Sequence, residues 1–275
     1  IAENLKEQFK QGDNLNRLIF INVGVYVLML IVSMLSFLIT GNQGTFSTYS
    51  MRWLALPSDP MLFITRPWTI VTYMFLHADF WHILWNMLIL FFSGRIFIEY
   101  LGDRRLLTVF LYGGIAGGAL FFILYNVSPV FTATLPLVGA SAGVVAILVA
   151  AATYVPNMPV RLFFVLEVKL WMVAALAVVS YIAGATGSNS GGHLAHLGGA
   201  ALGYFFVTSL RSGNDWSLGL YRVFTTVQGW FAPKPKMRTV YTSTDYSKKK
   251  PDQQTRTDQQ KMDEILDKIS KSGYE

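Results

Sequence analysis

Residues 106–160 read LLTVFLYGGIAGGALFFILYNVSPVFTATLPLVGASAGVVAILVAAATYVPNMPV and contain no charged side chain. A helix needs about 20 predominantly apolar residues to cross a bilayer, so this stretch is long enough for two crossings. The segment 126–136 carries two prolines, which predicts a break in the middle of the stretch. We therefore predict membrane-spanning helices at about 106–126 and 140–155.

The apolar pattern continues on both sides of this stretch. The whole chain is 53% hydrophobic and only 14% charged, a composition that is typical of a protein embedded in a bilayer and unusual for a soluble domain. Four further stretches are apolar enough to be spans, at about 18–40, 80–98, 170–187 and 192–210. The sequence therefore predicts an all-α, polytopic membrane protein with a bundle of six transmembrane helices.

Charged residues concentrate at the two ends of the chain. They divide it into a polar N-terminal segment, a membrane core and a C-terminal extension, at residues 1–16, 17–211 and 212–275. Within the extension, the aromatic residues between 216 and 231 predict a segment at the membrane interface, and the polar residues 233–252 predict a linker. The apolar residues that follow have the spacing of a short amphipathic helix, at Met262, Ile265, Leu266 and Ile269.

Lysine and arginine in the short loops predict the orientation in the membrane, because cytoplasmic loops carry an excess of them. Basic residues flank the first span and lie between spans two and three, between spans four and five, and after span six. The opposite loops carry only Arg52 and Arg66. We therefore expect both termini in the cytoplasm, with Ser141, His82 and His196 near the outer face.

The histidines of the chain lie in two short apolar segments, at His77, His82, His193 and His196. Between these segments stands Gly139-Ala140-Ser141-Ala142-Gly143. Strongly polar side chains are costly to insert into a membrane, so imidazoles grouped around a serine require an explanation. They indicate either a site for chemistry or core histidines satisfied by hydrogen bonds. The glycine–serine segment has the further alternative of a packing motif of small residues.

The segment 139–143 fits the pattern G-x-S-x-G, but its context excludes the strand-to-helix elbow of soluble hydrolases. That elbow needs an acidic residue before the histidine, and between Ser141 and His196 the sequence offers only Glu167, in a different loop. A serine in the first turn of a helix lies instead beside free backbone N–H groups and the positive end of the helix dipole. Both stabilise a developing oxyanion.

Gly199 and Gly203 form a small-xxx-small face one turn below His196, which predicts close contact between spans four and six. If the two glycines of segment 139–143 supply the matching surface, the imidazole of His196 reaches the hydroxyl of Ser141. The imidazole would act as general base and return the proton to the leaving amine. Because no buried aspartate is available to orient it, the sequence predicts a dyad.

His82 and Asn86 are four residues apart, which places both on one face of the second span. With the backbone N–H of Ser141, their donors would hold the negative oxygen of a tetrahedral intermediate. The alternative is an interhelical hydrogen bond without a role in chemistry. His77, beside Asp79 at the membrane edge, is expected to fix a loop.

Composition also narrows the classes of site. The absence of cysteine excludes disulfides, thiolate nucleophiles and thiolate metal ligands. The net charge of +6 comes largely from helix ends and the polar tail, so we expect no nucleic-acid partner, and we expect no metal and no cofactor.

A transporter or metal carrier using clustered histidines and Asp79 is a competing hypothesis. It predicts mid-membrane charges and an internal repeat, and the sequence shows neither.

Three motifs in this order and membrane context resemble those of the rhomboid intramembrane serine proteases: His82-x-x-x-Asn86, Gly139-x-Ser141-x-Gly143, and Ala195-His196 with Gly199-x-x-x-Gly203. The resemblance covers about residues 15–210. It implies a six-helix rhomboid-like bundle with Ser141 as nucleophile, His196 as base, and His82 with Asn86 on the oxyanion side. Many family members carry an aromatic residue four positions after the serine, and this chain has Val145 there.

The resemblance also implies partners and a location. Its substrates would be transmembrane segments of other membrane proteins, cut near the outer face and admitted by movement of the fifth helix. We expect an integral protein of the bacterial cytoplasmic (inner) membrane, surrounded by lipid. A catalytically silent relative that binds transmembrane helices is the alternative, and such a protein is expected to lack the serine or the histidine. Both are present here.

Overall fold

A computed structural model describes residues 12–42, 44–131, 135–162, 166–219, 222, 226 and 253–272. The helices that build the fold are α1 Asn14–Thr40, α2 Thr45–Leu54, α3 Pro60–Thr65, α4 Thr69–Thr72, α5 Phe80–Leu101, α6 Asp103–Val127, α7 Ser141–Tyr154, α8 Leu170–Gly184, α9 Ser190–Arg211 and α10 Gln253–Ser272. A 3-10 turn, Tyr73–Phe75, follows α4. The strands β1 Pro159–Leu162 and β2 Leu166–Lys169 form an antiparallel hairpin between α7 and α8.

Several helices are suited to a bilayer. Among the described helices, α1, α5 and α6 are long and apolar enough to cross a membrane, while α7 and α8 are apolar but shorter. The predictions of a mainly helical fold and of an integral membrane protein are therefore confirmed. The bounds of α1 and α5–α9 lie within a few residues of the six predicted spans. That all six cross the bilayer stays a prediction.

Helix ends near the site are fixed by caps. The side chain of Asp79 accepts a hydrogen bond from the backbone N–H of His82 at 2.9 Å and so begins α5. An aspartate in this position satisfies one of the free donors in the first turn. At the other end of α5, Gly102 has a φ of +85° and joins it directly to α6. The cap matters for the site because it fixes the turn that carries His82.

Glycines allow α7 and α9 to pack with their backbones close together. A side chain at Gly199 or Gly203 of α9 would collide with the backbone of α7. The α7 atoms it would meet are the carbonyl groups of Ala142 and Ala146. Small residues of this kind let membrane helices approach closely, as the spacing of the two glycines predicts.

The α7 surface that faces α9 differs from the expectation, because Gly139 and Gly143 do not form it. Gly143 faces α6 instead, where an added Cβ would lie 2.6 Å from the carbonyl oxygen of Phe110. Gly139 precedes the helix and lies beside His82. The backbone of Ala142 and Ala146 lies against α9, whereas their methyl groups lie against Gly117 and Gly113 of α6.

The segment between α1 and α5 holds the approach to α7 in place. Leu56 and Leu137 exchange two backbone hydrogen bonds, at 3.0 and 2.8 Å. The N–H of Gly139 donates to the carbonyl of Tyr73 at 3.0 Å, and the Tyr73 hydroxyl donates to the carbonyl of Gly114 on α6 at 2.6 Å. These hydrogen bonds connect the residues before α7 to the segment between α1 and α5, and that segment to α6.

The sequence pattern does not predict the β hairpin between α7 and α8. Residues 159–162 pair with residues 166–169, with Arg161 opposite Glu167 in the ladder. The two side chains form an exposed ion pair at 3.6 Å. Pairing satisfies backbone groups that would otherwise lack partners at the edge of an apolar bundle.

The chain divides into two structural units, residues 1–226 and 227–275. In the second unit, α10 covers the predicted amphipathic helix, and its four apolar side chains at 262, 265, 266 and 269 are exposed. The predicted linker 233–252 lies outside the described residues, as do most of the aromatic residues predicted at the interface.

Candidate active site

Ser141 and His196 meet in a hydrogen bond between α7 and α9. The hydroxyl Oγ and the imidazole Nε2 are 2.6 Å apart. Nδ1 of His196 is buried and has no hydrogen-bond partner in the part of the chain that the structure describes. Among the described residues, no carboxylate orients this imidazole as one does in a catalytic triad.

The start of α7 gives the Ser141 hydroxyl a favourable place for anion chemistry. Ser141 is the first residue of the helix, and Gly139, two residues earlier, has a φ of +127°, which side chains other than that of glycine rarely allow. The first N–H groups of a helix have no partner within it, and they lie at the positive end of its dipole. A negatively charged oxygen beside Ser141 would thus find backbone donors.

His82 brings a second imidazole to the same place from α5. A Cβ added to Gly139 would lie 2.8 Å from Nε2 of His82 and 3.4 Å from Oγ of Ser141, so ring and hydroxyl share one small space. Nδ1 of His82 accepts a long hydrogen bond of 3.4 Å from the N–H of Ala78. This bond assigns the ring hydrogen to Nε2, which makes Nε2 a donor on the side of the serine.

Asn86 lies one turn after His82 and is buried. Its side-chain amide donates to the carbonyl of His82 at 2.8 Å, a bond within α5. An amide carries two N–H groups, so one remains for a bound molecule. Asn86 also lines the cavity that contains the dyad.

A cavity of about 740 Å³ surrounds these residues. Residues of α5, α6, α7, α8 and α9 and of the segment 135–138 line it, and its polar groups include His82, Asn86, Ser141, Tyr181, Asn189 and His196. Its volume falls in the range of sites that hold ligands of substantial size. Among the described residues, no three His, Cys, Asp or Glu side chains are placed to hold a metal ion together.

The other two histidines border the site. The ring of His77 packs edge-on against His82, with centroids 5.1 Å apart. Burial lowers the pKa of His77 to about 4, so this ring is neutral at pH 7. His193 lies one turn before His196, and their rings meet edge-on at 6.0 Å. His77 and His193 thus pack against His82 and His196, and all four histidines of the chain lie at or beside the candidate site.

Tyr181 is a site residue that the sequence motifs miss. Its ring on α8 lies with its centroid 4.4 Å from that of His196. Val145 lines the cavity but contributes no ring. Because α8 is apolar around most of its circumference, its residue pattern carries no signal for this contact.

Comparisons with known proteins identify a family for this chain. A family model described as a Rhomboid domain matches residues 65–213, more than half of the chain. The chain is also 28% identical over 158 residues to the RHOMBOID-like protein 12, mitochondrial, of Arabidopsis thaliana. That match covers 53% of this chain and 47% of the relative, so the chain spans about half the length of the relative. Residues 82, 86, 141 and 196 all lie inside the region matched by the family model.

Proposed function

This chain belongs to the rhomboid family, and we propose that it is an intramembrane serine endopeptidase with Ser141 as nucleophile and His196 as general base. The observation that carries the proposal is the 2.6 Å separation between Oγ and Nε2. This contact lies in a cavity bounded by apolar helices and within the matched region. A hydroxyl and a base within hydrogen-bonding distance form the pair that nucleophilic catalysis needs.

The reaction begins when Oγ of Ser141 attacks the carbonyl carbon of the scissile peptide bond. Nε2 of His196 accepts the hydroxyl proton, and the carbonyl electrons move to the oxygen, which becomes an oxyanion. His196 then gives its proton to the amide nitrogen as the carbon–nitrogen bond breaks, leaving an acyl ester on Ser141. A water molecule, deprotonated by the same imidazole, hydrolyses the ester and restores the serine hydroxyl.

Three kinds of donor support stabilisation of the oxyanion. The first is the backbone N–H of Ser141 at the helix start, the second is Nε2 of His82, and the third is the remaining N–H of the Asn86 amide. Preorganised donors of this kind act where negative charge develops in the transition state. We assign His82 and Asn86 to this role, and no metal or cofactor takes part in the proposed chemistry.

We propose that the substrates are transmembrane segments of other membrane proteins. On one side the cavity is lined by Trp81 and Trp85, which are 64% and 55% exposed on a helix apolar enough to cross a membrane. A peptide in lipid would therefore approach along an apolar surface. Its backbone must leave the helical conformation near the cut, because helical carbonyls are already hydrogen-bonded within the helix.

The positions of the site and of the basic residues support one orientation. His82, Ser141 and His196 lie in the first two turns of α5, α7 and α9, whereas Arg95 and Arg211 lie towards the other ends of α5 and α9. Basic residues favour the cytoplasmic side. We therefore propose that the site faces the outer side of a bacterial cytoplasmic (inner) membrane, with both termini inside.

Cleavage of a transmembrane reporter by the purified protein in liposomes tests the proposal. Ser141→Ala and His196→Ala should each abolish cleavage while the protein remains folded. Ser93→Ala is the matched control, because the Ser93 hydroxyl donates to the carbonyl of Ile89 in its own helix, and this variant should cleave normally. Normal cleavage by either dyad variant would refute the mechanism. A parent chain that cleaves no transmembrane reporter and does not react with a serine-directed phosphonate would be a silent relative instead.

A further inference from the structure

The imidazole of His196 is held by few polar contacts. Nε2 bonds to Ser141, and Nδ1 meets no hydrogen-bond partner among the described residues. A ring with a single hydrogen bond can turn about its Cβ–Cγ bond and lose only that bond. In the proposed reaction the ring must keep its plane while it takes and returns a proton, so its orientation has to come from packing.

Two rings supply that packing, and one of them belongs to a different helix. The Tyr181 ring of α8 lies 4.4 Å from His196, centroid to centroid, with 58° between the planes. His193 lies 6.0 Å away on α9 itself. Both distances fall in or near the range in which aromatic rings attract each other. Because His193 shares a helix with His196, Tyr181 is the ring that ties the base to another part of the molecule.

The helix that carries Tyr181 is weakly held. Its buried residues are Leu170 and Ala174, both in its first two turns. Most other side chains along α8, such as Leu176, Val179 and Ile182, are exposed, as expected for a helix that faces lipid. The C-terminal half of α8, which reaches the candidate active site, is therefore not held by fully buried side chains as its first two turns are.

At that end, α8 contacts α9 through the two histidines. Tyr181 packs on His196, and Gly184, one turn later, lies so close to His193 that any side chain there would collide with the ring. Residues three apart on one helix thus meet residues three apart on the other. The contact that packs this end of α8 against α9 is therefore also the contact that positions the imidazole of His196.

We propose that Tyr181 is a positioning residue for His196, and that the seating of α8 on α9 thereby orients the catalytic base. The inference deepens the proposed protease function and rests on it. When this end of α8 lies on α9, the tyrosine ring holds the imidazole towards Ser141. When it moves away, the base loses its support, so full reactivity of the serine requires α8 to be in place.

Three variants test the inference by reporter cleavage in liposomes. Tyr181→Leu removes the ring and should lower kcat about tenfold, with KM within about twofold, because orientation rather than binding is lost. Tyr181→Phe keeps the ring and should restore the parent kcat to within about twofold. Ile182→Leu is the matched control on the same helix, facing away from the site, and should behave as the parent does.

A small serine-reactive phosphonate adds a measurement that does not depend on entry of a large substrate. Its rate of reaction with Ser141 should fall in Tyr181→Leu by about the same factor as kcat. Melting temperatures in detergent report whether the variants are folded. If Tyr181→Leu does not fold, Tyr181→Met, which keeps side-chain bulk without a ring, takes its place.

Several results would overturn the inference while leaving the protease function intact. They are an unchanged kcat in Tyr181→Leu, an equal loss in Tyr181→Phe or Ile182→Leu, and a loss of cleavage without any change in phosphonate reaction. The parent chain and Ser141→Ala are measured alongside. If these two do not differ in cleavage, the proposed function itself has failed.

Discussion

Oγ of Ser141 lies 2.6 Å from Nε2 of His196, although 55 residues separate the two in the chain. The contact depends on close packing of α7 and α9, which the absence of side chains at Gly199 and Gly203 permits. It also depends on a turn at Gly139 that starts α7 at the serine. The distance between the two reactive groups thus depends on the backbone geometry at these three glycines.

The first prediction concerns the donors on α5. His82→Ala and Asn86→Ala should each lower kcat about 100-fold to 1,000-fold, because each removes a donor to the oxyanion. The measurement is steady-state cleavage of the reporter, with melting temperature followed in parallel. If instead these residues only make structural hydrogen bonds, the melting temperature will fall and kcat of the folded protein will stay close to that of the parent.

The second prediction concerns the packing of α7 against α9. In Gly199→Ala the new methyl group would meet the backbone of Ala142, so the helices must separate. A displacement of the reacting groups by about 1 Å can cost about 100-fold in rate, and we expect a loss of that order in kcat. The matched control is Gly24→Ala on α1, where the added Cβ meets no atom of the described residues within 4 Å beyond the helix's own backbone. Parent-like kcat in Gly199→Ala would mean that this contact does not set the dyad distance.

The third prediction concerns the turn before α7. In Gly139→Ala the added methyl group would lie 2.8 Å from Nε2 of His82, and the residue would need a φ near +127°. The variant should therefore lose most reporter cleavage. Gly41→Ala also replaces a glycine with positive φ, +67°, but in the part of the chain that the structure describes its added Cβ meets no atom within 4 Å apart from its chain neighbours. If the two variants lost reporter cleavage equally, backbone strain alone, and not the position of His82, would explain the loss.

The fourth prediction concerns acid stability. Asp215 follows α9, and its Oδ2 lies 3.0 Å from both Nε and Nη2 of Arg105, while its Oδ1 accepts from the N–H of Ser217 at 2.9 Å. Burial alone would raise the pKa of the Asp215 carboxyl, but the hydrogen bonds from Ser217 and the Arg105 guanidinium hold it below the ordinary value of 3.8. The charged form is thus favoured by folding.

A group with a lowered pKa stabilises the fold above its unfolded pKa, and this contribution is lost as the pH falls through the folded pKa. Asp215→Asn should therefore lower the melting temperature by about 2–4 °C at pH 7, with a difference that shrinks as the pH falls below 3.8. Glu167→Gln, which breaks the exposed pair with Arg161, is the control and should change little at any pH. A difference for Asp215→Asn that stays constant down to acid pH would contradict the linkage.

The architecture could be predicted from the sequence because membrane helices leave a strong signal. Long uncharged segments are needed to cross a bilayer, and the structure has helices over each of those segments. The pairing of Ser141 with His196 could also be anticipated, since both sit at the same end of their spans beside small residues. The isolated position of polar groups in apolar segments made them stand out.

The details of packing could not be predicted in the same way. Helix α7 is apolar on all faces, so the polarity pattern does not reveal that the backbone of Ala142 and Ala146, rather than that of Gly143, lies against Gly199 and Gly203 of α9. The same lack of pattern on α8 hid the contact of Tyr181 with His196. The β hairpin carries its pairing in backbone hydrogen bonds, which a short stretch of mixed residues does not specify.

Reaction of the purified protein with a serine-directed phosphonate, mapped by mass spectrometry, tests the central claim most directly. The parent chain should carry the label on Ser141 and on no other serine. His196→Ala should react at least about 100-fold more slowly, because a hydroxyl without its base is a weak nucleophile. A folded parent chain that remains unlabelled at Ser141, or a His196→Ala variant that is labelled as fast as the parent, would contradict the account.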